Sequence, residues 1–131
     1  MAFTLEASMT GGDASPITTE QDLSGVTLSL NRNGIWVVTG VVLTRVVAGS
    51  DTATFNGFCN FDGVNKSLRM QLVEFNAGET LQQSLFGLWL CEVSGQPKTV
   101  KLRAAGAGTD AVITVYQTFT GIKAFWLGPS Q

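Results

Sequence analysis

No histidine occurs in the 131 residues. That removes Ser-His-Asp and Cys-His catalytic constellations and every histidine-liganded zinc site. Cysteine is nearly as scarce: Cys59 and Cys91 stand alone, too few for a four-cysteine zinc site within one chain. Charge is low as well, at 14% of residues where about 25% is typical. A surface so short of charge is poorly solvated as a free monomer, which predicts burial against copies of itself. Clustered Lys and Arg are missing and the net charge is −2, so counterion-displacing nucleic-acid binding is not expected. Also absent is any run of the ~18 to 20 apolar residues that would span a bilayer as a helix. The opening MAFTLEASMTGGD has neither a basic n-region nor a continuous apolar core, so it does not read as a signal peptide. Without an export signal, the two cysteines are expected to be buried free thiols rather than a disulfide.

What is present is a succession of short β-rich runs. After Leu23 come Val26 to Leu30, Ile35 to Val47, Thr52 to Phe61, Ser67 to Phe75, Ser84 to Val93, Thr99 to Ala105, Ala111 to Phe119 and Ile122 to Leu127. Turn signals separate them at Asn33-Gly34, Asp62-Gly63, Asn76 to Gly78, Ser94 to Pro97, Gly106 to Asp110 and Gly121. Seven or eight strands without helical interludes predict an all-β antiparallel sandwich or barrel. Ser67 to Phe75 alternates Leu68, Met70 and Leu72 against Arg69, Gln71 and Val73, and is read as a strand. Residues 1–20, rich in Ala, Ser, Thr and Gly, are expected to form an arm or flexible lead, with residues 21–131 as the folded domain. The acids Glu6, Asp13, Glu20 and Asp22 precede the first base, Arg32. The first 31 residues thus carry about −4, and the remaining six acids and eight bases about +2.

Two runs are apolar on both parities. Ile35, Val37, Val41 and Leu43 alternate with Trp36, Val38 and Val42; Phe86, Leu88 and Leu90 alternate with Leu85, Trp89, Cys91 and Val93. By contrast, Thr99 to Ala105 sets Val100 and Leu102 against Thr99, Lys101 and Arg103. One sheet is therefore expected to be covered on both sides and the other to face water, placing an intersubunit interface outside the first. The residues assigned to that interface are Trp36, Val38, Val42, Trp89, Phe125 and Trp126. Tyr116 and Trp126 are the aromatics more open to stacking on sugars, and Lys101, Arg103 and Lys123 form a candidate basic strip.

Three segments carry a family resemblance. NGIWVVTGVVL (Asn33 to Leu43), SGQPKTVKLRAAGAG (Ser94 to Gly108) and the closing TFTGIKAFWLG (Thr118 to Gly128) are similar in order and spacing to strands of the complement globular-head and tumour necrosis factor jelly rolls, above all their short phage-encoded relatives. The usual Gly-Asp turn is replaced by Gly95-Gln96-Pro97-Lys98, and no acidic cluster matches a calcium site. The resemblance implies a ten-strand jelly roll in a tight homotrimer, acting by protein or glycan binding rather than catalysis. For the phage relatives it implies a place on the virion, as capsid decoration, head fibre or tail fibre, with a capsid or tail protein as partner and host attachment as a role. A secreted ligand of the complement and necrosis-factor type is the alternative.

Catalysis finds little to stand on. Asp51, Asp62, Glu74, Glu79 and Asp110 are the carboxylates from which a glycosidase pair would have to come, and all but Glu74 fall in turns. Gly106-Ala107-Gly108 lacks the Lys-Ser or Lys-Thr pair and the helix of a phosphate loop. No enzyme activity, cofactor or metal is expected.

Overall fold

A computed structural model describes residues 3–130, with residues 67–75 described by their backbone alone. Eight strands fill it: β1 (Phe3–Ser8), β2 (Gln21–Leu30), β3 (Gly34–Val47), β4 (Ala53–Phe61), β5 (Val64–Phe75), β6 (Thr80–Val93), β7 (Lys98–Ala107) and β8 (Val112–Gly128). They form two four-stranded antiparallel sheets, ordered β1-β8-β3-β6 and β2-β7-β4-β5. The two sheets stack face to face around one apolar core. Apart from the β4–β5 hairpin, each connection crosses from one sheet to the other. That hairpin turns on Asp62 and Gly63, both at positive φ (52° and 85°), the pairing a tight two-residue turn requires. The crossing turn at Asn33-Gly34 also needs its glycine: Gly34 has φ 134°, and a Cβ there would strike the Gly128 carbonyl. Among the described residues there are eight strands, with β8 running through two of the runs read from the sequence.

The doubly apolar runs, β3 and β6, lie in the first sheet together with β8, while β7 lies in the second. Ser67 to Phe75 is strand, within β5, as expected; the facing of its side chains lies outside the described residues. Two other expectations are corrected. Residues 3–20 are not a separate lead: β1 pairs with β8 from Phe3↔Trp126 to Ser8↔Gly121, Ala14 bridges to Val115, and Met9 and Ile17 are buried in the core. Nor does Gly121 end a strand. β8 runs on for 17 residues, and Gly121 is small because β1 crosses there, a Cβ falling 2.9 Å from the Ala7 carbonyl oxygen.

Trp36, Phe55, Leu23, Leu30 and Leu102 are among the largest side chains with no surface left. Gly40 makes room for Leu102 and Trp89, since a Cβ there would lie 2.9 Å from Leu102 Cδ1 and 3.2 Å from Trp89 Cζ3. Its cross-strand partner is a second buried glycine, Gly87. Small residues opposite large ones let the two inner faces interdigitate at interior density.

Candidate functional site

The even-numbered residues of β3 turn inward. Trp36, Val38 and Val42 are fully buried in the single chain and Trp89 is nearly so. These four, expected at an intersubunit interface, are core residues of one protomer and leave no surface for another. Trp126 is corrected too. It is half-buried at the end of the sandwich, its Nε1 donating to the Asn33 carbonyl at 3.0 Å and its ring 3.8 Å beneath the Arg32 guanidinium. Trp36 completes this anchor, donating to the Arg32 carbonyl at 2.9 Å with Phe3 packed edge-on. Phe125 alone of the six stands on the outward face and is exposed.

That outward face is built from the opposite parities. Along β6, Phe86 is 64% exposed, Leu88 47% and Leu90 58%. Their β3 neighbours, Val41, Thr39 and Val37, are half-buried beside them. Ile35, Leu43 and Phe125 extend the patch. Charged side chains at outward positions of this sheet are two acids, Glu6 and Glu92, and two bases, Arg45 and Lys123. The charges balance, so the face carries no net repulsion against a copy of itself.

The second sheet's outer face is different in kind. Lys101 Nζ lies 2.9 Å from Asp22, and Arg103 spans Asp22 at 2.7 Å and Glu20 at 3.0 Å. Asn65 extends the network to Glu20 and Asn60. The expected basic strip does not exist: Lys101 and Arg103 are neutralised here, and Lys123 lies on the other sheet, 3.8 Å from Glu6. The hydrogen bond from Lys101, reinforced by the Lys101 and Arg103 charges and opposed by burial, holds the Asp22 carboxyl below its ordinary value. A depressed carboxyl contributes stability above its unfolded pKa of about 3.9 and loses it as pH falls through the folded value. Asp22→Asn is therefore expected to cost under about 1 kcal/mol at neutral pH, because the pair is largely exposed. The difference should close below about pH 4, read from thermal unfolding midpoints across pH.

Between Tyr116 and Gly121, β8 breaks register with β3. Residues 117–120 are pushed out as a bulge, and buried Thr120 closes its base: its hydroxyl donates to the Tyr116 carbonyl at 2.6 Å and accepts from the Leu43 amide at 3.2 Å. The N-terminal segment clamps the bulge from the side. Gln117 N donates to Asp13 Oδ1, Gly12 N donates to Gln117 Oε1, and Met9 N donates to the Thr120 carbonyl. At its crest Phe119 is 78% exposed with φ 64°. A bulky residue in that region costs on the order of 1–3 kcal/mol and persists only where its surroundings enforce it. Beside it lies an open groove of about 520 Å³ lined by Val41, Phe86 and Phe119, with Thr39, Glu6 and Lys123 among its polar neighbours. No sequence pattern announces the left-handed Phe119. The Phe86, Leu88 and Leu90 face was visible as an apolar parity, but apolar alternation by itself does not fix which side faces out.

The carboxylates do not converge on a reaction site. Asp51 caps the Thr52 amide, Asp62 pairs with Lys98 at 3.0 Å, and Asp110 accepts from Ser50. Asp51, Glu79 and Asp110 sit in loops at one end of the sandwich and Asp62 at the other; the Glu74 side chain lies outside the described residues. Among the described residues no three acidic or cysteine side chains gather in a metal-holding group. Cys59 and Cys91 are free, buried, and face each other across the core. Their mutual hydrogen bond and burial push the Cys59 thiol far up, so it stays protonated and unreactive.

No family model matches the chain, and no curated protein matches it in sequence. Solved structures do match in shape. Eiger TNF from S. frugiperda superposes with a TM-score of 0.63 at 11% identity, over 99% of this chain and 95% of that one. Murine APRIL gives 0.55 at 10% identity, over 97% and 100%. A chain of infectious bursal disease virus, Gx strain, gives 0.53 at 5% identity, over 95% of this chain and 37% of that one. The protein is an antiparallel β-sandwich with a tumour necrosis factor-like jelly-roll fold.

Proposed function

We propose that the protein is a non-enzymatic, self-associating module: a homotrimer closed through the outer face of the β1-β8-β3-β6 sheet, serving as a structural or attachment component of a virion. The observation that carries this reading is the contrast between the two outer faces. One is laced with ion pairs around Asp22 and Arg103, and the other exposes Phe86, Leu88, Leu90 and Phe125 in one patch. A monomer gains nothing from such a patch, whereas a copy seated on it removes that surface from water at roughly 25 cal/mol per Å². The number three comes from the jelly-roll likeness, in sequence motifs and in fold. The virion placement, as capsid decoration, head fibre or tail fibre, draws on the phage relatives those motifs resemble and on the fold shared with a viral chain. In this role the trimer is a rigid post, and the loops at its ends meet a capsid or tail protein on one side and a host protein or glycan on the other.

A secreted binding ligand is the second reading, favoured by the likeness to Eiger TNF over nearly the whole of both chains. Two measurements test the proposal. Sedimentation equilibrium at micromolar concentration should give one species of three chain masses; a monodisperse monomer would remove the trimer. Mass spectrometry of gradient-purified particles from the producing host should then find the chain at stoichiometric level. Recovery solely in the soluble fraction favours the ligand.

A further inference from the structure

We infer that Phe119 is the key of the intersubunit contact: its ring enters the groove between Phe86 and Phe119 of a second copy of this chain. The inference rests on the trimer proposed above and names the residue that sets its register. Three features converge on it. Phe119 projects from the sheet rather than packing on its own chain, and it does so in a backbone conformation that phenylalanine disfavours. The bulge that holds it there is fixed at four points, by Thr120, Asp13, Gly12 and Met9, so the conformation is enforced before any partner arrives. A groove large enough for an aromatic ring, with Val41, Phe86 and Phe119 in its lining, opens beside it on the same face.

A second copy is the occupant because projection and groove belong to one patch, continuous with Phe86, Leu88 and Leu90. The charges of that face also cancel, Glu6 and Glu92 against Arg45 and Lys123. Because the groove adjoins Phe119, three copies about a threefold axis can each seat this ring against the next copy's groove, a head-to-tail contact that closes as a ring. A pre-ordered aromatic inserted into a desolvated pocket is also the kind of residue that dominates association energy.

The test uses Phe119→Gly in the full chain. Glycine accepts the positive φ without strain, so the fold is kept and the dissociated monomer should unfold no earlier than the parent. Sedimentation should show the trimer weakened by on the order of tenfold to a thousandfold. In parallel, Phe119 is replaced by p-benzoylphenylalanine and irradiated in trimers mixed from light and heavy isotope-labelled chains. Interchain cross-links at Val41 or Phe86 are expected. An unweakened Phe119→Gly trimer, or interchain cross-links elsewhere, overturns the assignment while leaving the trimer standing. A monomeric parent protein overturns both.

Discussion

Leu88→Glu should convert the proposed trimer into a folded monomer. Leu88 lies at the middle of the exposed row on β6, between Phe86 and Leu90 and opposite Thr39 of β3. In an isolated protomer the new carboxylate stands in water, and the substitution removes only side-chain surface that is already half accessible. In the proposed trimer the same carboxylate would be enclosed by apolar groups of a neighbour, and the nearest outward base in its row, Lys123 beyond Thr39, already faces Glu6. Burying an unpaired charge costs several kcal/mol even after relaxation. Three symmetry-related copies incur that cost together. Sedimentation velocity should show a single monomeric species at concentrations where the parent sediments as the proposed trimer, with unchanged far-ultraviolet circular dichroism. A trimer that survives the substitution would place the interface elsewhere. Running the same experiment with Thr99→Glu, on the wet outer face of β7, supplies the control, since added charge there should leave assembly alone.

How much of this was legible beforehand depends on what alternation can encode. Period-two patterning and turn residues placed β3, β4 and β7 within two residues of their observed bounds, and fixed the ends but not the starts of β2 and β6, which begin five and four residues earlier than their apolar runs. Comparing parities also singled out the sheet with two apolar faces, because β7 alternates and β3 and β6 do not. Which face of that sheet turns inward is not written in a doubly apolar strand. The deciding clue was the glycine at Gly40, on the same parity as Trp36 and Val38. A residue without a side chain belongs where space is short, and here it yields to Trp89 and Leu102 of the core. Assigning the bulkiest aromatics to an interface ignored that interiors pack small against large. β1 was missed for a different reason. Its FTLEAS does alternate Phe3, Leu5 and Ala7 against Thr4, Glu6 and Ser8, but the glycine-rich stretch after it gave the whole segment the texture of a loop. The bulge at residues 117–120 depends on Thr120 and on Asp13, more than a hundred positions away from its partner Gln117, so no local window contains its cause.

Trp36→Ala should destabilise the fold of each protomer, not merely separate subunits. The indole is fully buried, is hydrogen-bonded through Nε1 to the Arg32 carbonyl, and meets Phe3 edge-on at 5.4 Å between ring centroids. Truncation removes a large apolar volume that the neighbouring strands cannot close over, because Trp36 is paired on both sides, with Cys91 of β6 and Trp126 of β8. Loss of transfer energy and the residual cavity together cost about 3–5 kcal/mol. The Arg32 carbonyl loses its partner as well, which loosens the turn that carries the chain from one sheet to the other. Against a total stability of about 5–15 kcal/mol for a domain, the loss should lower the urea midpoint sharply at every protein concentration. Leu88→Glu behaves in the opposite way. Its deficit should appear as a concentration-dependent association defect, because a subunit contact contributes to apparent stability by mass action. The two substitutions thus separate core from interface on adjacent strands of one sheet. If Trp36→Ala instead left the monomer stable and lost only the trimer, Trp36 would belong at the interface after all, and the inward parity of β3 would be wrong.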